Sequence, residues 1–124
     1  MKKFKISVLL KGKEAYCNGL YDLESNNLKV LAGSKIRKSW SPNFKYFNKR
    51  NTQIKEYCID NGTDLVLQKD LVFDTPTAAA KFCMGYEVNG QIYWRTTDNV
   101  KLKDFLKKYT HKTRKQFSKL ENLF

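Results

Sequence analysis

From residue 3 to residue 8 the chain alternates Lys-Phe-Lys-Ile-Ser-Val, the period-two signature of a strand with one face in a core and one in water. Phe4, Ile6 and Val8 are its expected inward residues. Gly12 marks a turn, and Ala15-Tyr16-Cys17 with Leu20-Tyr21 reads as a second strand region. Asn26-Asn27 turns the chain again, and Leu28-Lys29-Val30-Leu31 is a third strand closed by Ala32-Gly33-Ser34. Strands joined by such short turns predict an antiparallel meander.

The period then lengthens. Residues 34–41 read as an exposed basic loop or short strand. Ser41-Pro42 is an N-cap followed by a proline, a helix start. Phe44, Phe47, Ile54, Tyr57 and Cys58 line one face of a helix expected to end at Asn61-Gly62, with Lys45, Lys49, Arg50 and Lys55 on much of the other. Leu65-Val66-Leu67 and Leu71-Val72-Phe73 flank Gln68-Lys69-Asp70 and predict a hairpin. Thr75 is an N-cap, Pro76 stands at the first helical position, Ala78, Ala79 and Ala80 favour helix, and Gly85 suits a left-handed stop. Asn89-Gly90 is a strong tight-turn signal, so residues 91–94 read as a strand. Residues 101–124 predict a long terminal helix, its apolar stripe formed by Leu102, Phe105, Leu106, Tyr109, Phe117, Leu120 and Phe124. The expected fold is α+β: one domain over 1–124, a small antiparallel sheet packed with two to three helices, the C-terminal one basic and amphipathic.

The order of these signals resembles a known family. Phe73, Thr75-Pro76-Thr77-Ala78-Ala79-Ala80, Gly85, Asn89-Gly90 and Tyr93-Trp94-Arg95 are similar to one conserved-order block of it. Gly19-x-Tyr21, Val30-Leu31-Ala32-Gly33-Ser34 and Lys101-Leu102-Lys103-Asp104-Phe105 match others. The chain resembles the bacterial domain often attached to GIY-YIG nucleases and restriction-system proteins, itself similar to the restriction-adenine-methylase-associated (RAMA) domain. Residues 15–105 carry the resemblance, leaving 106–124 as a helical extension. The chain departs from the pattern in having threonine for both serines and Gln91-Ile92 where the family often has a tryptophan. The resemblance implies a nucleic-acid-associated accessory domain, with modified-DNA reading as an implied role.

Charge sharpens this expectation. The 124 residues carry a formal charge of +12. Residues 35–50 hold Lys35, Arg37, Lys38, Lys45, Lys49 and Arg50 with no acid, and residues 101–124 hold eight basic residues against two acidic ones. Residues 56–98 reverse the balance, with seven acids and three bases. Segregated positive charge is the footprint of a polyanion partner, with DNA ahead of RNA. Its alternative is a lysine-rich composition without consequence. No apolar run approaches the roughly 20 residues of a membrane span, and residues 6–10 are too short for a signal-peptide core. Cys17, Cys58 and Cys83 are odd in number and scattered, which argues against a disulfide framework and for a reducing, cytoplasmic setting.

Catalytic chemistry finds few residues. Phosphate loops, the H-E-x-x-H motif, the Gly-x-Ser-x-Gly motif and the GIY-YIG motif are all missing from the sequence. His111 is the one histidine, and Asp60, Asp64, Asp70 and Asp74 each sit where a turn or cap uses an aspartate. No cofactor, no metal and no enzymatic activity are expected. Binding finds more. Arg37-Lys38-Ser39-Trp40 pairs two cations with an aromatic that reads either as a base-stacking surface or as a hydrophobic anchor. Trp94 reads as core, with Arg95 beside it reaching a phosphate or capping the strand. The expected contact set is Lys35, Arg37, Lys38, Trp40, Lys45, Lys49, Arg50, Arg95, Lys108, Lys112, Arg114 and Lys115. A different class of function stays open: a protein-binding factor in phage–host conflict, with a nuclease or methylase as partner.

Overall fold

A computed structural model describes residues 5–109. Phe4, His111, Lys112, Arg114, Lys115 and most of the expected terminal helix lie outside the described residues. The fold is α+β. Its strands are β1 (Lys5–Gly12), β2 (Ala15–Asp22), β3 (Leu28–Val30), β4 (Lys35–Ile36), β5 (Cys58–Asp60), β6 (Leu65–Leu67), β7 (Leu71–Phe73) and β8 (Trp94–Thr96). Its helices are α1 (Phe47–Tyr57), α2 (Pro76–Met84) and the single turn α3 (Gly90–Tyr93), followed by helical backbone over 102–109.

The meander forms as the turns require. β1 pairs antiparallel with β2 along its whole length, and β2 with β3 through Gly19–Val30, Leu20–Lys29 and Tyr21–Leu28. The far edge of β2 is shared, because Tyr16 pairs with Lys35 of β4 instead. Between the two partners Ser34 repairs the ladder. Its buried hydroxyl accepts from Asn18 N–H at 3.0 Å and donates to Asn18 O at 3.4 Å. Gly33, at φ +92°, makes the corner that lets β3 and β4 diverge. One path then runs β5-β6-β4-β2-β1-β8, with β3 and β7 branching from β2.

α2 lies against one face of this sheet. Thr75 Oγ1 accepts from Ala78 N–H at 3.1 Å, Pro76 fills the first turn, and Gly85 at φ +76° donates to Lys81 O at 2.8 Å. Both ends are therefore closed by the residues whose chemistry suits them. Ala79 and Ala80 are fully buried and let the helix backbone approach the sheet, while Phe82, Cys83 and Met84 fill the core with Val8, Leu10, Cys17, Leu28, Val30, Leu67 and Trp94. Val8 is inward as expected and Ile6 is half-buried against the core.

Four expected elements take another form. The helix expected from Ser41-Pro42 to Asn61-Gly62 is only α1. Residues 41–46 turn irregularly, with Phe44 N–H donating to Ser41 O. At the other end, Tyr57, Cys58 and Ile59 are consecutive apolar residues, which one helix stripe cannot accommodate, so β5 leaves to pair with β6. β6 and β7 do not form a hairpin: β6 pairs with β4 and β5, and β7 pairs with β3. Asn89-Gly90 makes no hairpin turn, because Asn89 Oδ1 accepts from Gln91 N–H at 3.0 Å and caps α3. Residues 91–93 are consequently helical and the strand starts only at Trp94.

Gly90 is needed at this cap for space. A Cβ there would overlap backbone atoms of Pro76 and Thr77 at the start of α2. Backbone on backbone cannot relax by a rotamer change, so Gly90→Ala is expected to cost about 2–3 kcal/mol. That corresponds to a fall in Tm of roughly 10 °C, readable by circular dichroism. An unchanged Tm would show that α3 docks more loosely.

Candidate functional site

Alternation along the strands leaves one face of the sheet in the core and the other open. Cross-strand partners share a face, so the registers place the outward residues directly. Lys11 pairs with Tyr16, Tyr16 with Lys35, Lys35 with Val66, and Val66 with Ile59. Leu20 pairs with Lys29 and Lys29 with Val72, while Leu9 pairs with both Asn18 and Arg95. Their strand neighbours of opposite parity are Val8, Leu10, Cys17, Leu28, Val30, Ile36, Leu65, Leu67, Phe73 and Trp94, all core residues.

This open face carries both charge and apolar surface. Lys11 Nζ sits 5.6 Å from the centroid of the Tyr16 ring, which is 45% exposed. Lys35 Nζ lies 3.6 Å from Asp64, at the surface, where such a pair contributes little. Among the described residues, Lys11, Lys29 and Arg95 pair with no carboxylate. Arg95 Nη1 donates to Asn99 O at 3.4 Å. Ile59 and Val72 are more than half exposed at the margins.

A second cationic area surrounds a cleft between α1 and α2. The cleft has a volume of about 290 Å³, with Lys49, Gln53 and Tyr46 on one side and Thr75, Thr77 and Lys81 on the other. Phe44, Phe73 and Phe82 are its buried walls. Lys81 Nζ lies 4.7 Å from the Tyr46 ring centroid and 2.9 Å from Glu87.

The expected contact residues divide between these areas and the interior. Lys35 and Arg95 are on the open sheet face. Lys49 is exposed at the cleft, Lys45 is exposed in the irregular turn before α1, and Lys108 is exposed on the helical stretch after β8. Trp40 is 46% exposed with its ring tilted onto Phe47 at 4.7 Å, so it has both a packing role and an open face. Lys38 contacts Asp60 at 2.9 Å and donates to Gly62 O at 3.3 Å; the Lys38 ammonium first, and then the Gly62 N–H that donates to Asp60 Oδ1, hold the Asp60 carboxyl below its ordinary range.

Two expected surface cations are turned inward. Arg37 donates to Met84 O at 3.1 Å and stacks on Tyr86, leaving its side chain mostly covered. Arg50 was expected on the outer basic face of α1, yet it is 3% exposed. Its Nε donates to Phe82 O at 2.6 Å and its Nη2 to Arg37 O at 2.5 Å. Those carbonyls need a long, forked donor inside the fold, and Arg50 supplies it. Lys11, Lys29, Tyr16 and Lys81 were the residues missed by reading charge runs; the alternation of β1 to β3 carried the signal for the first three.

No catalytic constellation assembles among the described residues. Asp70 accepts from Ala32 N–H at 2.8 Å, Asp60 accepts from Gly62 N–H at 2.9 Å, and no group of three metal-ligating side chains forms. Cys17, Cys58 and Cys83 are free. Burial pushes the Cys58 thiol up to about 11 and the Cys83 thiol well above its usual range, so both stay protonated at neutral pH. No helix of the described residues is long and apolar enough to cross a membrane.

The family described as Domain of unknown function (DUF4357) matches residues 9–106. No curated protein and no solved structure matches the chain.

Proposed function

Because the chain belongs to the DUF4357 family, a domain of unknown function whose role must be read from its surfaces, we propose that it is a non-catalytic nucleic-acid-binding domain, with DNA ahead of RNA as ligand. The observation that carries this reading is the open sheet face, where Lys11 stands over Tyr16 and shares the face with Lys29 and Arg95, all three without acidic partners among the described residues. Cations of this kind neutralise phosphates and release counterions, while an exposed ring offers a surface for stacking. Lys35 flanks the same face, and the +12 charge of the chain supplies long-range attraction. The resemblance to the domain that accompanies GIY-YIG nucleases, and to the RAMA domain, supports an accessory role in a restriction or defence system, including the reading of modified DNA. Three free cysteines support a reducing, cytoplasmic setting.

The test is fluorescence anisotropy with single-stranded and duplex DNA across a salt series. The wild type should bind with a steep salt dependence. Replacing Lys11, Lys29 and Arg95 together with alanine should lower affinity by about tenfold or more and flatten the slope of log affinity against log salt by roughly 2–3. A folded triple variant with unchanged affinity and slope would remove the sheet face from the interface.

Ile59 and Val72, exposed at the margins of the same face, favour a second reading: a protein-binding factor in phage–host conflict, with a nuclease or methylase as partner. One stoichiometric protein partner that survives nuclease treatment would move the function to that reading.

A further inference from the structure

The cleft between α1 and α2 lies away from the outward residues of the sheet, and we infer that it holds one unpaired nucleobase of a bound nucleic acid. The inference rests on the nucleic-acid reading above and assigns that ligand a specific contact. Size is the first argument. At about 290 Å³ the cleft sits at the small end of ligand pockets, suited to a single ring system.

The walls make the second argument. The Phe73 and Phe82 rings lie 5.3 Å apart at 36°, and Phe44 meets Tyr46 edge-on at 6.0 Å. Tyr46 is half exposed at the mouth, where a flat heterocycle can slide along its face. Lys81, fixed by Glu87, already covers part of that ring. Aromatic surfaces stack on any base, because every base has a π-face.

Polar chemistry makes the third. The half-buried Gln53 amide lines the cleft and has no hydrogen-bond partner among the described residues. An amide offers one acceptor and two donors, which complement the edge of a base. A hydrocarbon occupant would leave that amide unsatisfied. Lys49 lines the cleft and is exposed, where the phosphates flanking an inserted base would run, and none of the cleft's lining residues is acidic. A base stacked inside a duplex cannot enter such a cleft, so the ligand is a base that is single-stranded or extruded.

The experiment compares a fluorescein-labelled duplex carrying one bulged adenine with its fully paired counterpart, by anisotropy. The wild type should bind the bulged duplex about tenfold more tightly, within the range that stacking of one base supplies. Ala78 lines the cleft, and Ala78→Trp fills it. That variant should bind both duplexes equally while keeping the wild-type affinity for the paired one. Gln53→Ala, at a half-buried position where α1 lines the cleft, should reduce the preference about threefold and serves as the second variant where Ala78→Trp lowers the Tm. Equal wild-type affinity for the two duplexes overturns the inference, as does an undiminished preference in a folded Ala78→Trp or Gln53→Ala. Absence of binding to either duplex is a different result: it overturns the nucleic-acid reading itself.

Discussion

Trp94→Ala is expected to remove about 4–6 kcal/mol of stability. Truncating a fully buried tryptophan costs about 3–5 kcal/mol through lost burial and the cavity left behind, and Trp94 is completely covered. Its indole N–H also donates to Pro76 O at 3.0 Å. Pro76 begins α2, so this bond ties the helix start to β8, and its loss costs about a further 1 kcal/mol. The ring packs close to Gly19 of β2, where an added Cβ would stand 3.3 Å from ring atom Cζ3. A domain of this size has roughly 5–15 kcal/mol in total, so the variant should be partly unfolded at 37 °C. Urea denaturation followed by circular dichroism measures it. Trp94→Phe separates the terms: it keeps most of the ring surface and loses the donor, and should cost about 1–2 kcal/mol. A loss below about 2 kcal/mol for Trp94→Ala would mean that the core closes over the site, contrary to the packing described.

That one residue shows what was legible in the sequence. Trp94 was readable as core because Ile92 and Tyr93 surround it, and the conclusion held although those neighbours are helical. Local chemistry was the reliable guide. Thr75, Pro76 and Gly85 act within a few residues of themselves, and α2 has the ends they imply. Likewise, the turns at Gly12 and Asn26-Asn27 join strands that then pair. The hairpin and the Asn89-Gly90 turn were misread because they depended on distant partners. β6 and β7 are adjacent in sequence, but Leu65-Val66 meets β4 and Leu71-Val72-Phe73 meets β3, and nothing in the residues between them encodes that choice. Asn89-Gly90 suits a hairpin as well as a helix cap; the nearby α2 backbone selects the cap.

The site was legible to a lesser degree, for a related reason. A charge run identifies cations but not the direction in which a side chain points. Residues 35–50 supply Lys35, Lys45 and Lys49 to the surface, while Arg37 and Arg50 from the same run are drawn inward by carbonyls of α2 and, for Arg50, by the carbonyl of Arg37 just beyond β4. Lys11 belongs to a lysine-rich first thirteen residues and Lys29 to no run; neither entered the expected contact set, though strand parity puts them on the open face beside Tyr16 and Leu20. The cleft was invisible in advance, because Phe44 and Phe73 come from segments about thirty residues apart.

Arg50 gives the second large effect, and it tests whether a cation counted as surface charge is a strut. The guanidinium joins three elements: it rises from α1, takes the Phe82 carbonyl in the last turn of α2, and takes the Arg37 carbonyl just beyond β4. A cation at a helix C-terminus is favoured by the exposed carbonyls there. Burial opposes it and pulls the guanidinium down to about 10, which still leaves it ionised at neutral pH. The folded value lies below the unfolded one, so the charge costs stability throughout the range below pH 10, and that cost fades only above it. The hydrogen bonds outweigh the cost. Two charge-assisted bonds contribute about 1.5–3 kcal/mol each, and relief from burying the charge returns part of this on substitution. Arg50→Leu is therefore expected to lower stability by about 3–4 kcal/mol, with Arg50→Lys recovering less than half because an ammonium cannot span both carbonyls. The gap between wild type and Arg50→Leu should stay level from pH 5 to pH 8, since the guanidinium does not titrate there. A Tm within about 2 °C of the wild type for Arg50→Leu would return Arg50 to the surface set, where the charge pattern first put it.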